Sequence, residues 1–279
     1  MKKFNSFISL LRLRDQLLLI FAILIVNFFL SSQVNWQLLK TTAFIVSLTS
    51  FTFVINDLSD VDLDRLNKKT RNPIANNRIT LKEAKLIAAF LLILTLTTSY
   101  FLPTNLIYYS IALIFISITY SFFIKAKSIP LLDLIYHGLG PTIGFLMFSS
   151  LYHEIDFSII FASIIAFSLF SIIQLLQQVR DFDTDIKLIK TTATILGKKN
   201  TIKISIVLLA SLILVLCFAV LTSVYPLKSV IYIPLSYLLF EPLIKALRNK
   251  IQGKNLLHIF TKRLIIVSGI FFLLFLSFQ

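Results

Sequence analysis

An all-α integral membrane protein of about nine transmembrane helices is the fold class this sequence predicts, and three observations predict it. The composition is 57% hydrophobic and only 14% charged, with a mean hydropathy of +0.88; a soluble domain carries roughly 25% charged residues. Nine stretches approach the about 20 apolar residues needed to cross a hydrocarbon core. If those stretches alternate across a membrane, 24 of the 27 Lys and Arg residues fall on one side, as the positive-inside rule requires. The net charge of +14 therefore reads as loop charge beside a membrane, and nucleic acid is not an expected partner. At 279 residues, a single membrane-embedded domain over 1–279 is expected.

The expected spans are 15–33, 37–55, 84–102, 105–123, 131–152, 157–178, 203–223, 228–245 and 262–279. Lys2, Lys3, Arg12 and Arg14 precede the first, with no small-residue cleavage site after it, so it reads as a retained span. The third opens with Thr80 and Glu83 at capping-box spacing. The fifth carries Gly138, Gly140, Pro141 and Gly144, and a bend or break is expected there. The charge asymmetry places the N-terminus and the long loops 56–83 and 179–203 in the cytoplasm and the C-terminus outside. His153, Glu154 and Asp156 then belong to an exposed loop on the other side. The lone Cys217, in an apolar run, excludes an internal disulfide.

Seven of the thirteen acidic residues lie in two short segments that each follow an apolar run. In Asn56-Asp57-Leu58-Ser59-Asp60-Val61-Asp62-Leu63-Asp64, Asp57, Asp60 and Asp64 stand at i, i+3 and i+7, with Asn56 four before Asp60. On a helix these four share a face and Asp62 does not. In Asp181-Phe182-Asp183-Thr184-Asp185, Asp181 and Asp185 stand at i, i+4, and Asp183 is off that face. Stacked carboxylates repel one another, and oxygen ligands of this kind suit Mg²⁺. Mn²⁺ accepts the same ligands and is expected to substitute. Basic residues follow both clusters, Arg65 and Arg71 after the first and Lys187, Lys190, Lys198 and Lys199 after the second.

Two carboxylate clusters surrounded by Lys and Arg suit a Mg²⁺-bridged diphosphate, with an apolar tail lying among Phe and Leu side chains between helices. Ionising an allylic diphosphate needs a stabilised leaving group and a dry pocket for the cation. Gln174, Gln177 and Gln178 put amides within an apolar span, as if that face lined a cavity. Asp133 and His137, at i, i+4, read either as a structural pair or as groups that orient an acceptor.

At these residues the chain resembles the UbiA superfamily of membrane prenyltransferases. Asn56, Asp57, Asp60 and Asp64 match N-D-x-x-D-x-x-x-D, and Asp181 and Asp185 match D-x-x-x-D, with Arg180 just before. Lys69-Thr70-Arg71-Asn72-Pro73-Ile74 is similar to the loop after the first motif. Tyr120 with Lys125 is similar to Y-x-x-x-K, although the spacing here is one residue longer. The resemblance spans essentially the whole chain. It implies a cavity at the centre of the helices, open to the cytoplasmic side. Asn56, Asp57, Asp60, Asp64, Asp181 and Asp185 would hold Mg²⁺, Arg71, Lys125 and Arg180 would hold phosphate oxygens, and Tyr120 would serve the chemistry.

The function so implied is a Mg²⁺-dependent intramembrane prenyltransferase, moving an isoprenyl group from a prenyl diphosphate to a lipophilic or aromatic acceptor. The alternative is a membrane terpene cyclase using the same ionising site. A transporter reading predicts charges deep within several spans; only Asp133 and Glu241, near span ends, come close. Membrane lipid is the expected surrounding, and a bacterial or archaeal cell membrane the expected location. Thr191–Gly197 is similar to carotenoid-elongating members, and Arg180 to Asp185 to quinone-pathway members, so the acceptor stays open.

Overall fold

The computed structural model describes residues 2–13, 16, 36–66, 71–152 and 154–276. The span expected at 15–33 lies outside the described residues, apart from Gln16, as do Lys68, Lys69 and Thr70 of the first loop. Among the described residues the structure is helical, with no strand. Five helical segments among the described residues are long and apolar enough to cross a membrane: Trp36–Ser59, Thr104–Phe123, Phe157–Asp185, Lys198–Leu221 and Leu227–Leu247. The chain divides into two compact units, one of Met1–Lys125 with Met147–Glu154, the other of Ala126–Leu146 with Ile155–Gln279.

The first unit contains α1 (Lys2–Leu10), α2 (Trp36–Ser59), α3 (Val61–Leu66), α4 (Leu81–Tyr100) and α5 (Thr104–Ile118). Its core is α2 packed on α4, where Phe51, Val54 and Ile55 meet Ala84, Ala88 and Leu91, with Leu10, Leu11 and Ile74 closing the end nearest the first acidic motif. Hydroxyls stitch these helices together. Thr52 donates to Ser117 at 2.9 Å, and Ser47 and Thr98 share a bond of 3.2 Å. The capping box forms as the spacing predicts: the Thr80 hydroxyl accepts from the Glu83 N–H, and the Glu83 carboxylate accepts from the Thr80 N–H.

The second unit contains α6 (Leu132–Ser149, whose last residues belong to the first unit), α7 (Phe157–Asp185), α8 (Thr192–Leu196), α9 (Lys198–Leu221), α10 (Tyr232–Leu247) and α11 (Gly253–Leu276). Ile172, Leu176 and Val179 of α7 pack with Ile202 and Leu209 of α9, Leu243 of α10, and Leu256 and Phe260 of α11. Gly253 lets α11 begin against α7; a Cβ there would stand 3.0 Å from the Val179 carbonyl oxygen. Helix α6 runs unbroken through Pro141 and its three glycines. Glu241 is met by Lys245 and Arg263.

Two helices outrun their apolar segments. The expected span 157–178 continues as helix to Asp185, and helix begins at Gly253, nine residues before the apolar run at 262. The hydrophobic pattern marks only the apolar part of each helix, and helical hydrogen bonding continues into polar turns. The last turns of α7 carry the second acidic motif.

Candidate functional site

In the first unit the motif is held as a nearly continuous helix. The Asp60 N–H donates to the Asn56 carbonyl at 3.0 Å, and the Asp64 N–H donates to the Asp60 carbonyl at 2.8 Å. Helical spacing therefore carries across the boundary between α2 and α3 and keeps Asn56, Asp60 and Asp64 on one face. Asp57 and Asp64 are buried, Asn56 and Asp60 half-buried. Asp62, off the face, is exposed, 3.8 Å from Arg65.

Two partners offset the buried carboxylates. The Arg12 guanidinium donates to Asp57 Oδ1 at 3.0 Å and stands 4.5 Å from the centre of the Phe53 ring. Asn72 is buried, and its Nδ2 donates to Asp64 Oδ2 at 2.9 Å and to the Asp57 carbonyl at 2.8 Å. Its Oδ1 accepts the N–H groups of Ile74 and Ala75 at 3.0 and 3.2 Å. One amide thus folds the loop and ties it to two motif residues. In the sequence Asn72-Pro73 signals a turn and nothing more. Arg12, 45 residues from Asp57, carries no local signal of its pairing.

Arg71 is exposed at the start of that loop. Tyr120 is half-buried within a π-helical turn, Thr119–Phe123, closed by the Ile124 N–H on the Thr119 carbonyl at 3.2 Å. A π-turn takes one more residue than an α-turn. That extra residue accounts for the longer Tyr120-to-Lys125 interval, and Lys125 follows it, exposed, with φ 49°.

The second motif ends α7. Arg180 grips its neighbour Asp181 with both ends of the fork, Nε to Oδ1 at 2.8 Å and Nη2 to Oδ2 at 2.7 Å. Asp185 is buried, and its carbonyl accepts the N–H groups of Leu188 and Ile189 as the chain leaves the helix. Asp183, off the face, is exposed and bonded by Lys198 at 2.8 Å.

Within α7, one and two turns before Asp181, Gln178 and Gln174 are buried and both donate to Asp133 Oδ2 at 2.6 Å. Asp133 is 2% exposed, and its Oδ1 lies 3.3 Å from His137 Nδ1. Gln177 is half-buried. The sequence marks these amides as unusual; their common partner, some 41 and 45 residues away, it does not reveal.

Among the described residues, no three His, Cys, Asp or Glu side chains converge into a ready-made metal cage. Mg²⁺ is ordinarily held by one or two carboxylates with substrate phosphates and water, rather than by an all-protein cage. Each motif supplies carboxylate oxygens of that kind and number on one helical face, so the donor set fits Mg²⁺.

A model of the UbiA prenyltransferase family matches residues 17–259. Over 105 residues the chain is 33% identical to the digeranylgeranylglyceryl phosphate synthase of Methanocaldococcus jannaschii, covering 37% of this chain and 36% of that protein. The match thus spans about a third of the curated relative's length. Solved structures share the fold over nearly the whole chain. One reported for digeranylgeranylglyceryl phosphate synthase in membranes superposes with a TM-score of 0.74 at 18% identity, covering 96% of both chains. A UbiA homologue of Archaeoglobus fulgidus bound to GPP and Mg²⁺ gives 0.73 at 20% identity, covering 95% and 96%. The apo homologue of Aeropyrum pernix gives 0.67 at 18%, covering 95% and 96%.

Proposed function

The chain belongs to the UbiA prenyltransferase family, and from that premise we propose that it is a Mg²⁺-dependent intramembrane prenyltransferase that moves an isoprenyl group from a prenyl diphosphate to a lipophilic acceptor. The observation that carries this is the helical continuity of the first motif, which keeps Asn56, Asp60 and Asp64 in register although α2 ends at Ser59, within the motif. In this reading Asn56, Asp57, Asp60, Asp64, Asp181 and Asp185 hold Mg²⁺, and Mn²⁺ replaces it. Arg71, Lys125 and Arg180 hold phosphate oxygens, and Tyr120 serves the chemistry. The bound metal offsets the charge that gathers on the diphosphate as its carbon–oxygen bond breaks.

The chain's own part is to bind and to exclude water. Arg180 and Arg12 offset carboxylate charge in the structure described, and either can turn to a phosphate oxygen when a metal takes that carboxylate. The electron pair of the broken bond leaves with the diphosphate, the acceptor's nucleophilic atom bonds to the allylic carbon, and its proton is released. We place this chemistry in one domain of nine spans with its cavity and both motifs on the cytoplasmic side. The named product of the Methanocaldococcus relative makes glycerol-phosphate lipids the first acceptors to try, with aromatic acceptors next.

The test is diphosphate release from geranylgeranyl or farnesyl diphosphate by the detergent-purified chain, with and without acceptors. Asp60→Asn and Asp181→Asn keep side-chain size, remove the metal-binding charge, and should each lower turnover by about tenfold to a hundredfold. Asp156→Asn, outside both motifs, should leave turnover unchanged. Full turnover by Asp60→Asn would overturn the assignment. A cyclic hydrocarbon formed without acceptor would replace the transferase by the cyclase.

A further inference from the structure

Asp133 is a buried carboxylate in a protein read as membrane-embedded, where a charge is retained only at a cost that function ordinarily explains. Its hydrogen bonds belong to a closed ring that joins three segments. Asp133 Oδ2 accepts from Gln174 and Gln178 of α7 at 2.6 Å each. The Gln178 Oε1 accepts the Ala193 N–H of α8 at 3.0 Å. The neighbouring Thr192 hydroxyl accepts the Leu131 N–H at 3.0 Å, which returns to the start of α6 two residues before Asp133. All of these groups lie in the second unit.

Gln174, Gln178, Asp181 and Asp185 fall at i, i+4, i+7 and i+11, on a single face of α7. At 1.5 Å of rise per residue, Gln178 stands roughly 4.5 Å along the axis from Asp181. The ring therefore fixes the rotation of α7 one turn before the motif. Through Ala193 and Thr192 it also fixes where the loop leaving Asp185 must return. That loop brings up Lys198, which bonds Asp183.

We infer that Asp133 is a positioning residue for the second acidic motif: by clamping Gln174, Gln178 and the 192–193 turn, it sets the direction from which Asp181 and Asp185 meet their metal. The inference rests on the metal-dependent reading above. The effect of Asp133 passes through the rotation of α7 and the closure of the loop. A buried hydrogen-bond network rigidifies the segments it joins, and removing one member leaves its partners unpaired.

The experiment measures Mn²⁺ binding by electron paramagnetic resonance to the detergent-purified full chain in the presence of inorganic diphosphate, alongside a thermal melt. Asp133→Leu should weaken Mn²⁺ binding by about tenfold, the lower end for loss of a group that orients metal ligands. Leu175→Ala, a buried change in the same helix, should lower the melting temperature and leave Mn²⁺ affinity unchanged. Gln178→Glu sets two carboxylates against each other and should weaken binding like Asp133→Leu. Adding Asp133→Asn should restore it, because the Asn amide can donate where the Gln amide did. Should Asp133→Leu lower the melt yet keep wild-type affinity, the residue is only structural and the inference falls. If Asp133→Leu does not fold, the exchange decides: a double variant no better than Gln178→Glu alone overturns the inference. Absence of Mn²⁺ binding by the wild-type chain would instead overturn the metal-dependent reading itself.

Discussion

Replacing Asn72 offers the most direct measure of how the first loop supports the motif. Asn72→Ala removes one bond to a carboxylate, one to the Asp57 carbonyl, and the acceptor for the N–H groups of Ile74 and Ala75. A bond to a charged group contributes about 1.5–3 kcal/mol, an ordinary one about 1 kcal/mol, and such contributions are not additive. Water reaching the small gap will recover part of the loss, so a net cost of about 3 kcal/mol is expected. Asn72→Asp separates the two roles: its carboxylate still accepts from Ile74 and Ala75, but it cannot donate and faces Asp64. Without metal it should be at least as unstable as Asn72→Ala. Adding Mg²⁺ should raise its melting temperature more than it raises that of Asn72→Ala, because a divalent ion between two carboxylates removes their repulsion. The assay is a detergent melt of the three proteins across a Mg²⁺ series. Equal Mg²⁺ responses in Asn72→Asp and Asn72→Ala would refute the placement of metal beside Asp64, and an unchanged melt for Asn72→Ala would refute the clamp.

Further outcomes follow from other parts of the chain. A cysteine introduced as Ser59→Cys should resist an impermeant thiol reagent in intact cells and react once the membrane is opened; labelling in intact cells would reverse the orientation. Prenyl diphosphate binding should be lost in EDTA and recovered with Mg²⁺ or Mn²⁺, and equal binding with the chelator present would remove the metal bridge. Asp156 caps α7 by accepting from the Ile159 N–H at 2.9 Å and the Ser158 hydroxyl at 2.8 Å. Those bonds, the first above all, hold its carboxyl below the ordinary value of about 4. A depressed pKa stabilises above the unfolded value and ceases to do so as pH falls through the folded one. The stability that Asp156 adds over Asp156→Ala should accordingly be constant from pH 7 to 5 and shrink below about pH 4. A difference that grows on acidification would contradict the cap.

Much of the architecture could be read from residues, since a bilayer imposes one length and one polarity on each span. Trp36–Ser59 and Lys198–Leu221 follow their apolar runs to within a few residues, and the Thr80–Glu83 box forms as its spacing demands. Alignment of the acidic residues was equally legible, because helical periodicity is local. Asn72, Arg12 and Asp133 were not, since each acts through a partner that sequence distance hides. Asn72 is an ordinary turn signal until its amide is seen against Asp64. Asp133 and His137 were visible as a pair, but the carboxylate spends one oxygen on two glutamines of another helix. The last turns of α7 escaped for a different reason: hydropathy reports where the apolar run ends, and the helix continues through polar residues to Asp185.

The wide turn at Thr119–Phe123 bears on how such chains change length over time. An insertion within an ordinary membrane helix would rotate every later side chain by about 100° and drag the following loop with it. Here the added residue is confined to one turn, so its effect stays local and the helix before it keeps its packing. A search that demands a fixed tyrosine-to-lysine interval passes over this chain, whereas one that allows a single extra residue finds Tyr120 and Lys125. Deleting Phe122 would close the turn to ordinary α-helix, so a residue can be lost here without shifting the register of the helix before it.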